Sequence, residues 1–246
     1  MRALGRADLP GAIEIGGTLY RLARTVKHDF FAATGFYEDT SGQRVVLKMG
    51  RLVDFAGLPL LWLGKLLQRR ELGFYRKLKD IKAVPKVLGT LGPTGFLMEF
   101  VEGVPLTARP PCPDDFFGEL QALFNELHRR DVAYVDTDKS QNILLGRDGK
   151  PHLIDFQISF DADAVPLRPL ARLLLRQFRQ SDVYHLLKHK NRLRPDQLTD
   201  DERRIVERRS LPIRIHRFVS KPYFDLRRTT FRRLRETGRL LPEGSK

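Results

Sequence analysis

Residues 127–158 read LHRRDVAYVDTDKSQNILLGRDGKPHLIDFQI, and this stretch decides how the rest of the chain is interpreted. Asp136 follows a short apolar run and Asn142 opens a second one, so these two residues flank one polar loop. The Asp-Gly pair at 148–149 is typical of a tight hairpin turn. The strand predicted after that turn carries Asp155 back alongside Asn142. Two oxygen-bearing side chains are therefore expected to be neighbours.

The polar residues of this stretch are those that phosphoryl transfer from a metal-bound nucleotide requires. The attacking hydroxyl needs a carboxylate that orients it and accepts its proton, and Mg²⁺ needs hard oxygen ligands. Asp136, Asn142 and Asp155 can supply these roles. The alternative is that they are ordinary turn residues, because Asp and Asn are common in turns for local hydrogen-bonding reasons. The joint pattern, rather than any one residue, favours the catalytic interpretation.

This pattern resembles the protein-kinase-like superfamily, whose catalytic loop reads HRDxxxxN or HGDxxxxN and whose magnesium-binding strand ends in DFG. The resemblance implies that Asp136 is the catalytic base and that Asn142 and Asp155 bind Mg²⁺. Lys139 stands where many members place a lysine that neutralises the transferring phosphate. ATP and Mg²⁺ are the cofactors that the resemblance implies.

Three departures from the superfamily pattern are visible in the same stretch. Tyr134 stands where the catalytic-loop motif has His, and Gln157 replaces the Gly of DFG. The loop between Asp136 and Asn142 is one residue longer than usual. Because of that longer loop, Asp138 is an alternative candidate for the role of Asn142.

The resemblance implies an α+β, two-lobed protein-kinase-like fold with a small β-rich N-lobe and a mostly helical C-lobe. The expected divisions are an N-terminal extension at 1–19, the N-lobe at 20–105, the C-lobe with the catalytic loop at 106–200, and a basic helical tail at 201–246. At 246 residues, the chain is long enough for one such two-lobed unit.

The N-lobe should provide a lysine on a strand and a glutamate on the following helix. Residues 44–48 form a short β-branched run ending in Lys48, which resembles the VAIK strand and would contact the α and β phosphates. Residues 67–78 have apolar positions at helical spacing, and Glu71 lies on the same face. Glu71 is therefore the candidate ion-pair partner of Lys48. The alternatives are an exposed edge-strand lysine and an exposed helix acid.

The strand predicted at 95–101 resembles the hinge that reads the nucleotide base. Backbone groups around Glu99, Phe100 and Val101 would contact the adenine. Asp182, in a later helical stretch, is a candidate for the buried aspartate that braces the catalytic loop.

The phosphate-binding loop is where the resemblance is weakest. Its expected place, residues 25–35, contains one glycine rather than three. A backbone that cannot approach phosphates closely must use side chains, so Lys27 or His28 is expected to substitute. This departure and Gln157 keep open the alternative of a pseudokinase with poor nucleotide binding.

The composition favours an intracellular enzyme. A single cysteine, Cys112, excludes an internal disulfide framework, and its proline-rich surroundings indicate a rigid linker. The N-terminal residues lack the continuous apolar core of a signal peptide, so the cytoplasm is the expected compartment. The segment 52–67 is unusually apolar and contains the only tryptophan, Trp62. It is expected either to pack against the β lobe or to dip into a membrane interface.

The basic excess is concentrated at the C-terminus. Residues 202–246 hold 14 Lys or Arg and 5 Asp or Glu, which gives 14 − 5 = +9 of the formal charge of +14. This segment would attract anionic surfaces, although a solvated helical face packed on the C-lobe is the alternative. No nucleic-acid reader motif accompanies the charge, so specific nucleic-acid binding is not expected.

The acceptor is inferred from the residues after Asp155. The chain passes quickly into a basic helical stretch from about Leu167, without the APE-terminated segment on which protein kinases dock a peptide. This compact, basic layout is similar to the bacterial lipopolysaccharide-core kinases, the Kdo and heptose kinases. It implies transfer of the ATP γ-phosphate to a sugar hydroxyl of an anionic glycolipid, with peripheral contact at the inner membrane face. The alternatives are an atypical serine/threonine kinase similar to the RIO type, and a pseudokinase that binds a membrane or RNA through its basic tail.

Overall fold

The computed structural model describes residues 2–54 and 59–207, with a strand-rich first part and a helix-rich second part. The helices are Leu61–Lys77 (α1), Phe116–Arg129 (α2), Arg168–Leu193 (α3) and Asp200–Glu207 (α4). The strands are Ala12–Ile15 (β1), Thr18–His28 (β2), Ala32–Glu38 (β3), Arg44–Gly50 (β4), Val87–Leu91 (β5), Gly95–Glu99 (β6), Gly103–Pro105 (β7), Val132–Ala133 (β8), Ile143–Gly146 (β9), Pro151–Leu153 (β10) and Phe160–Asp161 (β11).

A six-stranded antiparallel sheet in the order β1-β2-β3-β4-β6-β5 forms the N-lobe together with α1. Its strand β4 has all residues from Val45 to Met49 buried. Because side chains alternate between the faces of a strand, Val46 and Lys48 share one face, and Val45 and Leu47 share the other. Val46 joins the core cluster that extends into the helical part, whereas Val45 and Leu47 join a cluster within the sheet. The face that carries Lys48 is therefore the face turned toward the C-lobe.

The segment 2–19, expected within an N-terminal extension, contributes to the N-lobe. Strand β1 pairs with β2, and Ile13 lies opposite Tyr20. Leu4, Leu9 and Ile13 are buried in the sheet's own cluster, to which no helix of the described part of the chain contributes a buried residue. These residues therefore cover the sheet face that the helices leave open, and the lobe begins before residue 20.

Helix α1 begins at Leu61, earlier than the periodicity at 67–78 indicated. Gly64 lets this first part of α1 pack against the Arg51 backbone, because a Cβ at that position would overlap the Arg51 carbonyl oxygen. Within the apolar segment 52–67, residues 55–58 lie outside the described residues. Trp62 and Leu66 remain 59% and 53% exposed, so α1 does not bury them against the sheet.

The C-lobe is built on α2, α3 and the hairpin of β9 and β10. The predicted hairpin is confirmed, since Leu144 pairs with His152 and Gly149 closes the turn with a φ of +78°. Phe156 and the buried face of α2 complete the large core cluster, to which α1 and β6 also contribute. The basic helical stretch predicted from about Leu167 is α3, which extends over 26 residues.

The end of the described chain is the short helix α4. The remainder of the basic tail predicted at 201–246, residues 208–246, lies outside the described residues. Cys112 lies in the loop before α2, where its thiol is buried and faces the Pro110 carbonyl. Across residues 2–54 and 59–207, each helix is too short or too polar to cross a bilayer.

Candidate active site

The predicted catalytic loop begins with a strained backbone that turns Asp136 into the cleft between the lobes. Val135 has a φ of +67°, a conformation that costs a β-branched residue roughly 1–3 kcal/mol. Asp182 of α3 offsets this cost, because its carboxylate accepts hydrogen bonds from the Tyr134 and Val135 N–H groups at 2.9 Å and from the Thr137 hydroxyl at 2.6 Å. The bracing predicted for Asp182 is confirmed by these contacts.

Asp136, Lys139 and Asn142 form one hydrogen-bonded cluster within this loop. Lys139 Nζ and Asn142 Nδ2 both donate to Asp136 Oδ2, at 2.7 Å and 2.8 Å. Asp136 and Asn142 are buried, whereas the Lys139 side chain is 46% exposed. Burial raises the pKa of Asp136, and the Lys139 ammonium opposes that shift. Among the described residues, Asn142 Oδ1 makes no hydrogen bond, and it remains available as an oxygen ligand.

Asp155 is placed beside Asn142 by the hairpin and by two aromatic hydroxyls. The Ile154 N–H donates to the Asn142 carbonyl at 3.0 Å, and the Tyr134 hydroxyl donates to the Ile154 carbonyl. Asp155 itself has a φ of +65°, and its N–H donates to the Tyr75 hydroxyl at 3.1 Å.

Phe156 fixes the backbone that follows Asp155. Its ring is fully buried and makes edge contacts with Tyr75 and Tyr134, with centroids 5.3 Å and 5.1 Å apart. Because α1 provides Tyr75 and the catalytic loop provides Tyr134, Phe156 connects the two lobes. The carboxylate of the preceding residue is thereby turned toward the cleft.

Lys48 connects the sheet, α1 and the segment that carries Asp155. Its Nζ donates to Glu71 Oε1 at 2.7 Å and to Asp155 Oδ1 at 2.9 Å. Burial alone would lower the pKa of Lys48, but the Glu71 and Asp155 carboxylates raise it well above its usual value, so the ammonium stays charged. Burial also acts to raise the pKa of Asp155, but the Lys48 charge outweighs burial and lowers it overall.

The turn between β2 and β3 occupies the position of the phosphate-binding loop. Asp29 Oδ1 accepts from the Phe31 and Ala32 N–H groups at 2.8 Å and 2.9 Å, and Asp29 Oδ2 lies 2.9 Å from Lys27 Nζ. The turn amides are thus already satisfied by a carboxylate of the turn itself. His28 Nε2 accepts from the Leu4 N–H, so His28 is turned toward the N-terminal segment.

The expected hinge follows β6. The Glu99 N–H donates to the Lys86 carbonyl, and the Glu99 carboxylate accepts from the Lys86 N–H. The Phe100 ring packs edge-on against Phe36 at 4.9 Å, with the Arg44 guanidinium over it at 4.2 Å. Val101 is half-buried directly after this pair.

No protein-family model and no curated protein matches the chain. Solved structures do match it. The BubR1 kinase domain aligns with a TM-score of 0.56 at 15% identity, over 75% of this chain and 65% of that one. The Rio2 kinase from Chaetomium thermophilum aligns with a TM-score of 0.52 at 18% identity, over 80% of this chain and 63% of that one. The chain has a protein-kinase-like fold.

A third match is the Chaetomium thermophilum Rio2 kinase in an ADP/Mg²⁺-phosphoaspartate complex. It aligns with a TM-score of 0.54 at 18% identity, over 92% of this chain and 72% of that one. The chain spans less than two thirds of the length of the first two matched structures. At these identities the likeness establishes the kinase-like fold alone.

Within the kinase-like fold, the alternative magnesium ligand Asp138 is engaged elsewhere. Its Oδ1 lies 3.1 Å from both His185 Nδ1 and Lys188 Nζ of α3. His185 accounts for the largest part of a strong lowering of the Asp138 pKa, and Lys188 adds to it. Asn142 remains as the loop amide beside Asp155.

Sequence reasoning did not identify the supporting roles of Tyr75, Tyr134 and Asp29. The Tyr134 hydroxyl donates to the Ile154 carbonyl just before Asp155, which links the predicted catalytic loop to the segment that carries Asp155. Tyr75 lies four residues after Glu71 on the same helix face, and this spacing could have indicated that it faces the cleft. Nothing in the motif spacing indicates that Asp29 caps its own turn.

Proposed function

We propose that the chain is an ATP- and Mg²⁺-dependent phosphotransferase with an alcohol group as acceptor. The observation that carries the proposal is the position of Lys48, which contacts Glu71 and Asp155 together. Asp136 and Asn142 form a second polar group connected to Asp155 by the hairpin. A buried lysine with two carboxylates beside an aspartate–asparagine pair is a set of groups suited to polyphosphate, metal and hydroxyl.

The residues of this cleft fit a magnesium–nucleotide complex. In the described chain no cluster of three or more His, Cys, Asp or Glu side chains could hold a metal unaided. Mg²⁺ commonly binds through one or two protein oxygens together with substrate phosphates, which matches Asp155 and Asn142. When bound, the ion would neutralise phosphate charge. Lys48 would hold the α and β phosphates, and the backbone around Phe100 would hold the base.

Asp136 and Lys139 would act at the acceptor. Asp136 would orient the attacking hydroxyl and accept its proton, and burial favours this role by raising the Asp136 pKa. Lys139 is half exposed at the cleft and would stabilise the charge on the transferring group. Glu71 would position Lys48, and Lys27 would add positive charge near the phosphates.

For the acceptor, we infer a sugar hydroxyl of an anionic glycolipid. Support comes from the cations on the α3 side of the catalytic loop, where Lys188 is 53% exposed. It also comes from the short connection between Asp155 and α3, which leaves little chain for a peptide platform. The resemblance to lipopolysaccharide-core kinases points to the same acceptor class, at the cytoplasmic face of a membrane.

The test is phosphate transfer from γ-labelled ATP to Kdo- or heptose-bearing glycolipids. Asp136→Asn is expected to lower kcat by roughly 10²–10⁴-fold, the usual contribution of a general base, with little change in ATP affinity. Asp138→Asn is the matched control, because it removes the same charge two residues away and should keep most activity. Equal activity in the Asp136→Asn variant would contradict the assigned role. Autophosphorylation without glycolipid turnover would favour a RIO-like kinase.

A second candidate, a pseudokinase, is favoured by one observation. The Asp29 carboxylate satisfies the turn amides that would otherwise face phosphates, and it adds negative charge there. This candidate predicts no measurable nucleotide affinity in the parent protein. Retained binding to anionic vesicles or RNA after Asp155→Ala, with no nucleotide binding in the parent, would select it.

A further inference from the structure

Helix α1 exposes two large apolar side chains on the face directed away from the cleft. Trp62 is 59% exposed and Leu66 is 53% exposed, and they are separated by one helical turn. Glu71 lies on the opposite face of the same helix and is 2% exposed. Within residues 2–54 and 59–207, the sheet and the cleft therefore use one side of α1 and leave the Trp62 side uncovered.

The same uncovered side is basic. We define the α1 outer face as Trp62, Lys65, Leu66, Arg69 and Arg76, which follow one another at helical spacing. Helix α1 has no acidic residue in its first turn, and its one acid is the buried Glu71. Among the described residues, no ion pair or side-chain hydrogen bond engages Arg69 or Arg76.

The positive charge of the α1 outer face determines what kind of partner can bind it. The segment 208–246 contains 12 Lys or Arg and 3 Asp or Glu, a net charge of 12 − 3 = +9, and would be repelled. A second copy would set one basic face against another. The partner must therefore be anionic. Exposed Trp and Leu flanked by Lys and Arg are typical of helices that lie in the interface of an anionic bilayer.

We propose that the α1 outer face docks on an anionic lipid surface, with Trp62 and Leu66 entering the interface and the cations contacting lipid phosphates. This inference goes beyond the proposed phosphotransfer and does not depend on it. Because Glu71 is on the opposite face, docking leaves the Lys48 contacts undisturbed. Membrane docking and nucleotide binding can therefore be tested separately.

The chain carries its own reporter for this proposal, since Trp62 is its only tryptophan. The full chain is mixed with vesicles of phosphatidylcholine alone or of phosphatidylcholine with phosphatidylglycerol. Trp62 emission is expected to shift to the blue with the anionic vesicles only and to be quenched by lipids brominated near the headgroup. Co-sedimentation of the same samples measures total binding, to which the basic tail also contributes.

Variants separate the α1 outer face from the tail. Arg69→Glu with Arg76→Glu is expected to weaken the binding reported by Trp62 by about thirtyfold or more, the equivalent of about 1 kcal/mol for each of two basic side chains. Leu66→Asp should abolish the emission shift. The control is Arg24→Glu with Arg203→Glu, which changes the net charge equally at exposed positions outside α1 and should leave the shift intact.

Three outcomes would overturn the proposal. Vesicle sedimentation with no change in Trp62 emission would assign binding to the tail. No binding to anionic vesicles would remove the membrane as the partner. A Trp62 shift produced by RNA or by an acidic peptide, and not by vesicles, would assign the face to that polyanion. Thermal unfolding by circular dichroism shows that each variant is folded.

Discussion

Asp182 shows how a single buried carboxylate holds the catalytic loop in place. It is fully buried, and it accepts from two consecutive backbone N–H groups and from the Thr137 hydroxyl, while His128 Nε2 lies 3.1 Å away. These contacts fix the strained Val135 backbone on which the direction of Asp136 depends. The orientation of Asp136 therefore depends on a buried residue of α3.

Asp182→Ala is expected to lower the free energy of unfolding by about 3 kcal/mol, because it leaves several buried donors unpaired. Urea unfolding followed by circular dichroism measures the loss. Asp182→Asn keeps the shape of the side chain and one acceptor oxygen, so its free energy of unfolding should fall by less. A loss of less than about 1 kcal/mol in the alanine variant would show that the loop is held by other contacts.

The fall of kcat/KM at low pH should reflect protonation of Asp136. Its pKa is raised chiefly by burial, and the Lys139 ammonium opposes this rise. Activity requires the ionised form, so it is lost as pH falls through the Asp136 pKa. Lys139→Ala removes the ammonium that lowers the Asp136 pKa, so the fall of kcat/KM at low pH should move to higher pH. Lys188→Ala, which removes a cation paired with Asp138, should leave this fall at the same pH. A fall that stays at the same pH or moves to lower pH in Lys139→Ala would refute the assignment.

Among the elements around the cleft, the β2–β3 turn differs most from a typical phosphate-binding loop. A glycine-rich loop offers free amides, whereas this turn satisfies its amides with Asp29 and pairs Lys27 with the same carboxylate. Burial acts to raise the Asp29 pKa, but the amide hydrogen bonds and Lys27 lower it overall, so the carboxylate is charged at neutral pH.

Asp29→Asn should therefore tighten Mg²⁺–ATP binding. Asparagine keeps an oxygen acceptor for the turn amides, removes one negative charge and releases Lys27. Removing a negative charge near the phosphates should strengthen the binding free energy by about 1 kcal/mol, which lowers Kd about fivefold. Calorimetric titration measures the change. Asp39→Asn, in the exposed turn after β3, is the matched control and should show no change. Weaker binding in Asp29→Asn would mean that the carboxylate assists nucleotide binding.

The sequence predicted those elements whose signals are local. The hairpin of β9 and β10 followed from the Asp-Gly turn, and the strand that carries Lys48 followed from its β-branched run, although β4 continues to Gly50. The packing of the first part of α1 could not be predicted in this way, because Gly64 approaches the backbone of Arg51, a residue outside the helix. The contribution of Leu4 and Leu9 to the sheet core was missed for the same reason. Contacts distant in sequence leave no local periodicity.

At the scale of the whole molecule, a few polar contacts connect the lobes around the cleft. Lys48 contacts Asp155, the Arg70 guanidinium donates to the Ser159 carbonyl at 2.6 Å, and Lys77 pairs with Asp161 at 2.7 Å. All three cations come from the N-lobe, and their acceptors lie in the segment from Asp155 to Asp161. The position of that segment is thus set jointly by β4 and α1. The sequence motifs predicted which residues line the cleft. Lys48 can contact both Glu71 and Asp155 only when the two lobes pack together.

The most direct test of the central claim is calorimetric titration of the parent protein with ATP in the presence and absence of Mg²⁺, alongside Lys48→Ala and Asp155→Ala. Lys150→Ala, an exposed lysine of the β9–β10 turn, is the matched control. Metal-dependent binding is expected in the parent and in the control, and it should be at least about tenfold weaker in both cleft variants. Absence of binding in the parent, or unchanged binding in both cleft variants, would contradict the proposed function.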